Sequence, residues 1–224
     1  IAATDATDPR AMAAIDFFVY FNTKLDARAA ESDPPQDILT ALTADSDLDR
    51  GEQLGFCMSL LVAGNETTRH LISGGLIALA QHPQQRAMLA ADESLISAAV
   101  EEMLRWVTPI VAMGRTTNCP VTLHDTDVGA DEYLVMLYAA ANRDETVFGS
   151  DADEFDVTRS PNPHLAFGIG EHFCLGAQLA RLEAKIVFTE LLRRWPDYRV
   201  LDGVRMGPST LLRETAELPI LLAP

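Results

Sequence analysis

The sequence predicts a mainly α-helical protein with small β-sheets, folded as a single domain over residues 1–224. Long segments with apolar residues at helical spacing are separated by prolines, which interrupt helices. Between residues 110 and 141 the pattern changes to short alternating segments of the kind found in β-strands. Because 48% of the residues are apolar, the chain can bury a sizeable core.

The helices are predicted from the residues at their ends. Asp8 and Pro9 begin the first helix, since proline is well accepted at the first helical position, and this amphipathic helix runs to about Ala30. Pro83 ends the longest helix. Further helices are expected over residues 37–43, 49–82, 84–90, 92–106 and 175–195. The last helix carries apolar residues on one face, at Leu175, Leu179, Leu182 and Ile186.

The β part is predicted from alternation and from turn residues. VTLHDTDV (121–128) and YLVMLYAA (133–140) are typical of short strands, with Gly129 in the turn between them. Residues 142–173 are expected to be mostly loop, with one helical turn in NRDETVF (142–148). The tail after the last helix is predicted to form a hairpin.

Composition excludes several classes of protein. A formal net charge of −16 disfavours a nucleic acid as partner. No apolar run approaches the ~18 residues of a membrane span, and no signal peptide is visible. Three cysteines far apart in sequence, Cys57, Cys119 and Cys174, argue against a disulfide framework and favour a reducing, cytoplasmic compartment.

The long helix contains a conflict between apolar and polar residues. FCMSLLVAG (56–64) is apolar almost all round and is expected to be buried, yet GNETT (64–68) follows at once. Gly64 costs a helix about 1 kcal/mol relative to Ala, and a threonine hydroxyl can bend a helix by bonding to a carbonyl one turn earlier. A bend at Gly64 would leave a notch beside a carboxylate and a hydroxyl. The alternative is a solvated patch on a half-exposed helix.

EEMLRW (101–106) places Glu102 and Arg105 on one helix face at i and i+3. An exposed pair of this kind contributes only ~0.2–0.5 kcal/mol, so on its own it indicates no function.

The third unusual segment is FGIGEHFCLG (167–176), in which one thiol follows a glycine-rich loop. Cys174 precedes an apolar helix that begins near Leu175, where unpaired amides and the helix dipole stabilise a thiolate. A buried cysteine acting as a small hydrophobe is the alternative. A thiolate here would be a nucleophile or a metal ligand. No zinc-type pair of ligands exists, and a lone thiolate suits a haem iron.

Together these segments resemble the cytochrome P450 family of haem-thiolate monooxygenases, in their bacterial soluble form. FGIGEHFCLG matches the family's FGxGxHxCxG loop at every defined position, AGNETT (63–68) matches its oxygen-binding motif, and Glu102-x-x-Arg105 matches its ExxR. The resemblance covers essentially the whole chain and implies the C-terminal, haem-binding half of the cytochrome P450 fold. Family chains are about twice as long, and Ile1 is not a start methionine, so we expect a fragment or a chain completed by another segment.

The resemblance implies a haem b cofactor and residues that hold it. Cys174 would ligate the iron, Phe167 would pack near the sulfur, and His172 and Arg115 would pair with the propionates. Gly168 and Gly176 would shape the cysteine loop.

The resemblance also assigns the oxygen site and the core beneath the haem. Ala63 and Gly64 would open the groove for O₂, Thr67 would hydrogen-bond the bound oxygen and Glu66 would relay protons. The substrate pocket would be lined by residues 109–113 and 210–212. A buried structural set is expected at Glu102, Arg105 and Arg159.

The implied activity is insertion of one oxygen atom of O₂ into an apolar small molecule, in the style of actinobacterial lipid and sterol hydroxylases. Electrons would come from NAD(P)H through a reductase and a ferredoxin. The ferredoxin would dock on the cysteine side, at Arg181, Lys185, Arg193 and Arg194. Two alternatives stay open: a peroxide-driven haem-thiolate enzyme, and a non-catalytic fragment or subunit that needs a partner.

Overall fold

The computed structural model describes residues 8–45 and 47–222, so Ile1, on which the expectation of a longer chain partly rests, lies outside the described residues. The helices are α1 (Pro9–Ala29), α2 (Ile38–Ala44), α3 (Arg50–Gln81), α4 (Pro83–Ala91), α5 (Ile96–Val107), α6 (Tyr138–Ala141), α7 (Glu145–Phe148) and α8 (Ala177–Arg194). The strands are β1 (Met113–Thr116), β2 (Val121–Leu123), β3 (Thr126–Val128), β4 (Tyr133–Met136), β5 (Arg199–Val200), β6 (Arg205–Met206), β7 (Thr215–Glu217) and β8 (Ile220–Leu221). The mainly helical fold with small sheets is therefore confirmed.

The chain divides into two compact units between Ala63 and Gly64, within α3. The first unit contains α1, α2 and the start of α3, around a small core of Leu25, Leu42, Leu54 and Cys57. The Asp37 side chain caps α2 by accepting the Thr40 N–H at 3.0 Å.

The second unit contains the larger core, where α3, α5 and α8 contribute most of the buried side chains. Two adjacent glycines allow close helix packing. A Cβ at Gly74 would lie 2.6 Å from Val107 Cγ1 on α5, and one at Gly75 would lie 2.7 Å from Phe188 Cζ on α8. The second half of α3 is thus in direct contact with both α5 and α8.

The strands form four two-stranded antiparallel sheets, which pair β1 with β4, β2 with β3, β5 with β8 and β6 with β7. The strands predicted between residues 110 and 141 are confirmed except for the end of YLVMLYAA, since Tyr138–Ala141 is a helical turn. The predicted C-terminal hairpin is confirmed by the pairing of β6 with β7.

The predicted burial of FCMSLLVAG is wrong for part of that segment, and the apolar face noted on the last helix is exposed. Leu61 and Val62 of FCMSLLVAG are 50% and 59% exposed. In α8 the buried residues are Ala177, Ala184, Phe188 and Leu192, whereas the stripe noted in the sequence is exposed, at Leu175, Leu179, Leu182 and Ile186. Periodicity identifies an apolar face but not whether another segment covers it.

No helix in the described ranges combines the length and apolar character needed to cross a bilayer.

Candidate active site

Cys174 lies in a tight loop three residues before α8. Its amide donates to Phe167 O at 2.9 Å, and its carbonyl accepts the Ala177 N–H at 3.2 Å. Gly168 and Gly170 have φ of +70° and +73°, a conformation that favours glycine. The helix begins at Ala177 rather than at the predicted Leu175, because this last turn of the loop precedes it. The thiol side chain is exposed at the end of the loop.

The loop fits a haem better than a metal ion held by side chains. Among the described residues no group of three His, Cys, Asp or Glu could hold a metal. Around the lone thiol the exposed side chains are apolar, at Ile169, Phe173 and Leu175. A Cβ at Gly176 would lie 3.9 Å from Cys174 Sγ, so glycine keeps that side of the sulfur open. A single thiolate on an apolar surface suits a flat macrocycle that supplies the remaining iron ligands.

The two residues expected to pair with haem propionates lie on separate elements. His172 is exposed in the short 3₁₀ turn Gly170–His172. Arg115 is half-buried on β1, and its Nη1 donates to the neighbouring Gly114 O at 2.8 Å. Both guanidinium and imidazole can make charge-assisted bonds to carboxylates.

The oxygen-binding motif lies on α3, which continues without a break from Arg50 to Gln81. A Cβ at Gly64 would meet nothing within 4 Å. Ala63 and Glu66 are exposed, while Thr67 is half-buried. A groove of about 430 Å³ borders this segment, lined by Glu183 of α8 and by the α3 residues Gly64, Asn65, Thr68, Arg69, Ile72, Ser73 and Leu76.

Glu102 and Arg105 form a fully buried pair on α5. Their i, i+3 spacing alone does not distinguish a buried pair from an exposed one. Arg105 Nε and Nη2 each donate at 2.7 Å to one oxygen of Glu102. Arg105 also donates to three backbone carbonyls at 2.6–2.9 Å, those of Asn142, Ala152 and Glu154.

Glu102 has further partners that tie α5 to the segment before the cysteine loop. Its oxygens accept the Asp156 N–H at 2.9 Å and the Asn162 Nδ2 at 3.1 Å. Arg159 Nε lies 3.4 Å from Glu102 Oε2, an ion pair without hydrogen-bond geometry. Arg159 Nη2 donates instead to Asp151 O at 2.9 Å. The structure thus brings the three residues of the predicted structural set together.

The two segments expected to line the substrate pocket are hydrogen-bonded to each other. Val111 N donates to Leu211 O, and Arg213 N donates to Pro109 O, both at 2.9 Å. Ile110 and Leu212 form a β-bridge between these bonds. The structure therefore places residues 109–113 beside residues 210–212.

Sequence reasoning missed the polar residues that connect α5 to the cysteine loop. Asn142 is buried, donates to Thr108 Oγ1 at 2.9 Å and accepts the Leu165 N–H at 2.7 Å. Arg143 donates to Arg105 O and Trp106 O, two carbonyls at the end of α5. Burial, with Arg105 and Arg213 nearby, lowers the pKa of Arg143 to about 10.

The signal that could have found Arg143 is the preference of cations for the carbonyl end of a helix. Sequence reasoning did not detect this preference because more than 30 residues separate Arg143 from the helix end that it caps.

The basic surface predicted on α8 is largely neutralised within the chain. Arg181 pairs with Glu101 at 2.7 Å, and Arg193 and Arg194 both pair with Glu190. Lys185 is exposed. The local positive charge available to an acidic partner is therefore smaller than the count of basic residues indicates.

Two features of this chain are those of the haem-thiolate class of proteins. One is the mainly helical fold with small antiparallel sheets, and the other is the single thiol that precedes the last long helix. Comparisons with known proteins lead to the same class. A family model described as Cytochrome P450 matches residues 10–198. The chain is 43% identical over 167 residues to a steroid C26-monooxygenase of Mycolicibacterium smegmatis, which covers 74% of this chain and 41% of that relative.

Solved structures agree closely. P450BioI, in complex with hexadec-9Z-enoic acid ligated acyl carrier protein, matches with a TM-score of 0.89 and 38% identity over 94% of this chain and 54% of that one. CYP109E1 from Bacillus megaterium, in complex with testosterone, matches with a TM-score of 0.90 and 34% identity over 95% of this chain and 60% of that one.

The chain therefore belongs to the cytochrome P450 family, whose members bind haem. It spans between 41% and 59% of the length of the steroid C26-monooxygenases that it matches.

Proposed function

We propose that this chain is the haem-binding part of a P450 monooxygenase that inserts one oxygen atom of O₂ into an apolar organic substrate. The observation that carries the proposal is the exposed Cys174 thiol in a glycine-shaped loop, which belongs to no group of three metal-ligating side chains in the described part of the chain. Haem b bound there would supply the oxygen activation, with electrons from NAD(P)H delivered by a ferredoxin and its reductase.

The chain's own residues would hold the cofactor and move protons. Cys174 would ligate the iron, and the bond from its amide to Phe167 O would fix the loop. Gly168 and Gly176 would leave space for that loop geometry. Arg115 and His172 would hold the two carboxylates of the haem edge.

On α3, the open space at Gly64 would admit O₂, and Ala63 is the small, exposed residue that precedes it. The hydroxyl of Thr67 would donate a hydrogen bond to O₂ held in that space. Glu66, exposed one residue earlier, would carry protons from solvent to that hydroxyl.

The substrate class that we propose is an apolar lipid or sterol skeleton. The relatives support it, because one is named a steroid C26-monooxygenase and two matched structures hold testosterone or a fatty acid on its carrier protein. The neighbouring segments 109–113 and 210–212 would line the pocket.

The test of haem-thiolate ligation is the absorption spectrum of the reduced, CO-bound chain after haem is added. A strongly red-shifted Soret band is expected, and Cys174→Ser should abolish it. Cys119→Ser is the matched control, since Cys119 is also exposed and should not affect the band. A wild-type spectrum without the red shift would contradict the proposal.

A substitution in the proposed proton relay distinguishes the peroxide-driven alternative from an O₂-dependent enzyme. In an O₂-dependent enzyme, Thr67→Ala should leave the rate of NADH consumption unchanged and lower the rate of product formation. The loss should be at most the roughly 10²–10⁴-fold that a proton-transfer group contributes. A peroxide-driven enzyme should form product from H₂O₂ at a similar rate in both proteins. The assay is product formed per NADH or per peroxide consumed.

A further inference from the structure

A charged cluster joins α5, the cysteine loop and α8. Arg181 of α8 donates to both oxygens of Glu101 of α5, from Nε at 2.7 Å and from Nη2 at 2.9 Å. His164, three residues before the cysteine loop, brings its Nε2 to 3.1 Å from Glu101 Oε2. Because His164 Nδ1 accepts the Ala166 N–H, the proton of the neutral ring is on Nε2 and is donated to Glu101.

The same cluster reaches the cysteine through one aromatic ring. The Arg181 guanidinium carbon lies 4.6 Å from the centroid of the Phe167 ring. Phe167 in turn accepts the Cys174 amide at 2.9 Å. Arg181 therefore contacts the residue whose backbone holds the cysteine in place.

The negative charge of Glu101 and the positive charge of Arg181 both persist around neutral pH. Burial alone would raise the pKa of Glu101, but hydrogen bonds from His164 and Arg181 outweigh it and lower the pKa to about 2. The pKa of Arg181 is raised, chiefly by its hydrogen bond to Glu101, and the negative charge available at Cys174 contributes.

We propose that Arg181 and Glu101 are positioning residues that hold Phe167 and the Cys174 loop, and that their opposite charges set the reduction potential of iron bound at Cys174. The second half of this inference rests on the proposed function. A cation near the iron favours the ferrous state, which carries less positive charge, and so raises the potential. An anion near the iron lowers it.

Opposite charges give opposite expected shifts, which a merely structural role would not. Arg181→Gln should lower the ferric/ferrous potential and Glu101→Gln should raise it. If the cluster only holds the loop in shape, both variants loosen the same loop and shift the potential in the same direction. Shifts of the same sign, or no shift in either variant, would overturn the charge claim.

Arg181→Lys separates charge from geometry. Lysine keeps the positive charge but loses the two-pronged bond to Glu101 and the flat contact with the Phe167 ring. We expect a potential close to that of the wild type together with a looser loop. Arg199→Gln is the matched control, because it removes one exposed cation on β5, outside the cluster, and should change neither property.

The positioning claim has a readout that needs no haem. In the chain before haem is added, hydrogen exchange at the Cys174 amide should be faster in Arg181→Gln, Arg181→Lys and Glu101→Gln than in the wild type and in Arg199→Gln. Unchanged exchange would overturn this claim. If the wild type forms no haem-thiolate, the proposed function and the charge claim fall together, while the exchange result still decides the positioning claim.

Discussion

At the scale of single residues, the buried carboxylate of Glu102 neutralises a guanidinium that has no access to water. Glu102→Gln would leave Arg105 charged and incompletely paired in the core, and breaking a buried pair in this way costs about 3–5 kcal/mol. We expect a loss of that size in the free energy of unfolding, measured by urea titration of the haem-free chain.

Glu190→Gln is the control for this loss, since Glu190 pairs with Arg193 and Arg194 at the surface of α8. Exposed pairs contribute only ~0–1 kcal/mol. Equal losses in the two variants would show that the α5 pair does not hold the core together.

His70 gives a second prediction at this scale, because it is fully buried on α3 and its Nδ1 accepts the Thr215 N–H at 3.3 Å. Burial lowers its pKa below 6.5, and Arg69 adds to this, while Glu214 and Glu66 oppose it. The folded chain therefore binds this proton less readily than the unfolded chain does. Stability from neutral His70 is present above pH 6.5 and is lost as the pH falls below it.

The measurement is the unfolding free energy between pH 7.5 and 5.5. The contribution of His70 to the slope should approach about 1.4 kcal/mol per pH unit at most. His70→Gln should flatten the profile, whereas His124→Asn, at an exposed turn position with φ of +50°, should not. Parallel profiles for wild type and His70→Gln would contradict the prediction.

At the scale of elements, helix α3 uses its glycines for different purposes along its length. A Cβ at Gly75 would lie 2.7 Å from Phe188 and 2.9 Å from Met103, whereas one at Gly64 would meet open space. Gly75→Ala should therefore destabilise the chain by about 1–3 kcal/mol through overpacking. Gly64→Ala should stabilise the haem-free chain by up to about 1 kcal/mol, because glycine weakens a helix.

Thermal unfolding of the two variants tests this difference within one helix. Destabilisation by Gly64→Ala would mean that its surroundings are more crowded than the structure shows. Stabilisation by Gly75→Ala would mean that α3 and α8 are not packed as closely as described.

The elements differ in how far their sequence predicts them. The helix predicted over residues 37–43 is α2 (Ile38–Ala44), and the structure shows Asp37 as its N-cap. The turn at Tyr138–Ala141 was predicted as strand, because four residues are too few for periodicity to separate helix from strand. Cys174 was found from its neighbours in sequence. The cluster of Glu101, His164 and Arg181 was not, because no local pattern reports which distant residues meet.

At the scale of the whole molecule, charge and apolar surface act in opposite directions. The net charge of −16 disfavours self-association, while large exposed side chains favour it. The clearest apolar surface is the stripe on and just before α8, where Leu175 is 74%, Leu179 60%, Leu182 52% and Ile186 53% exposed. Its members follow the spacing of one helix face, so a partner could cover them together.

We expect this stripe to drive reversible association of the chain in solution, and Leu179→Glu to weaken it. Losing one buried leucine at an interface removes about 1.5–3 kcal/mol, which corresponds to roughly tenfold or more in the association constant. Sedimentation velocity at several concentrations measures this constant. Gln178→Glu adds the same charge at the adjacent exposed position, which faces a different direction on the helix. If both variants weaken association equally, net charge controls association and the stripe does not. If the chain is a monomer at every concentration, the net charge of −16 already outweighs the apolar surface.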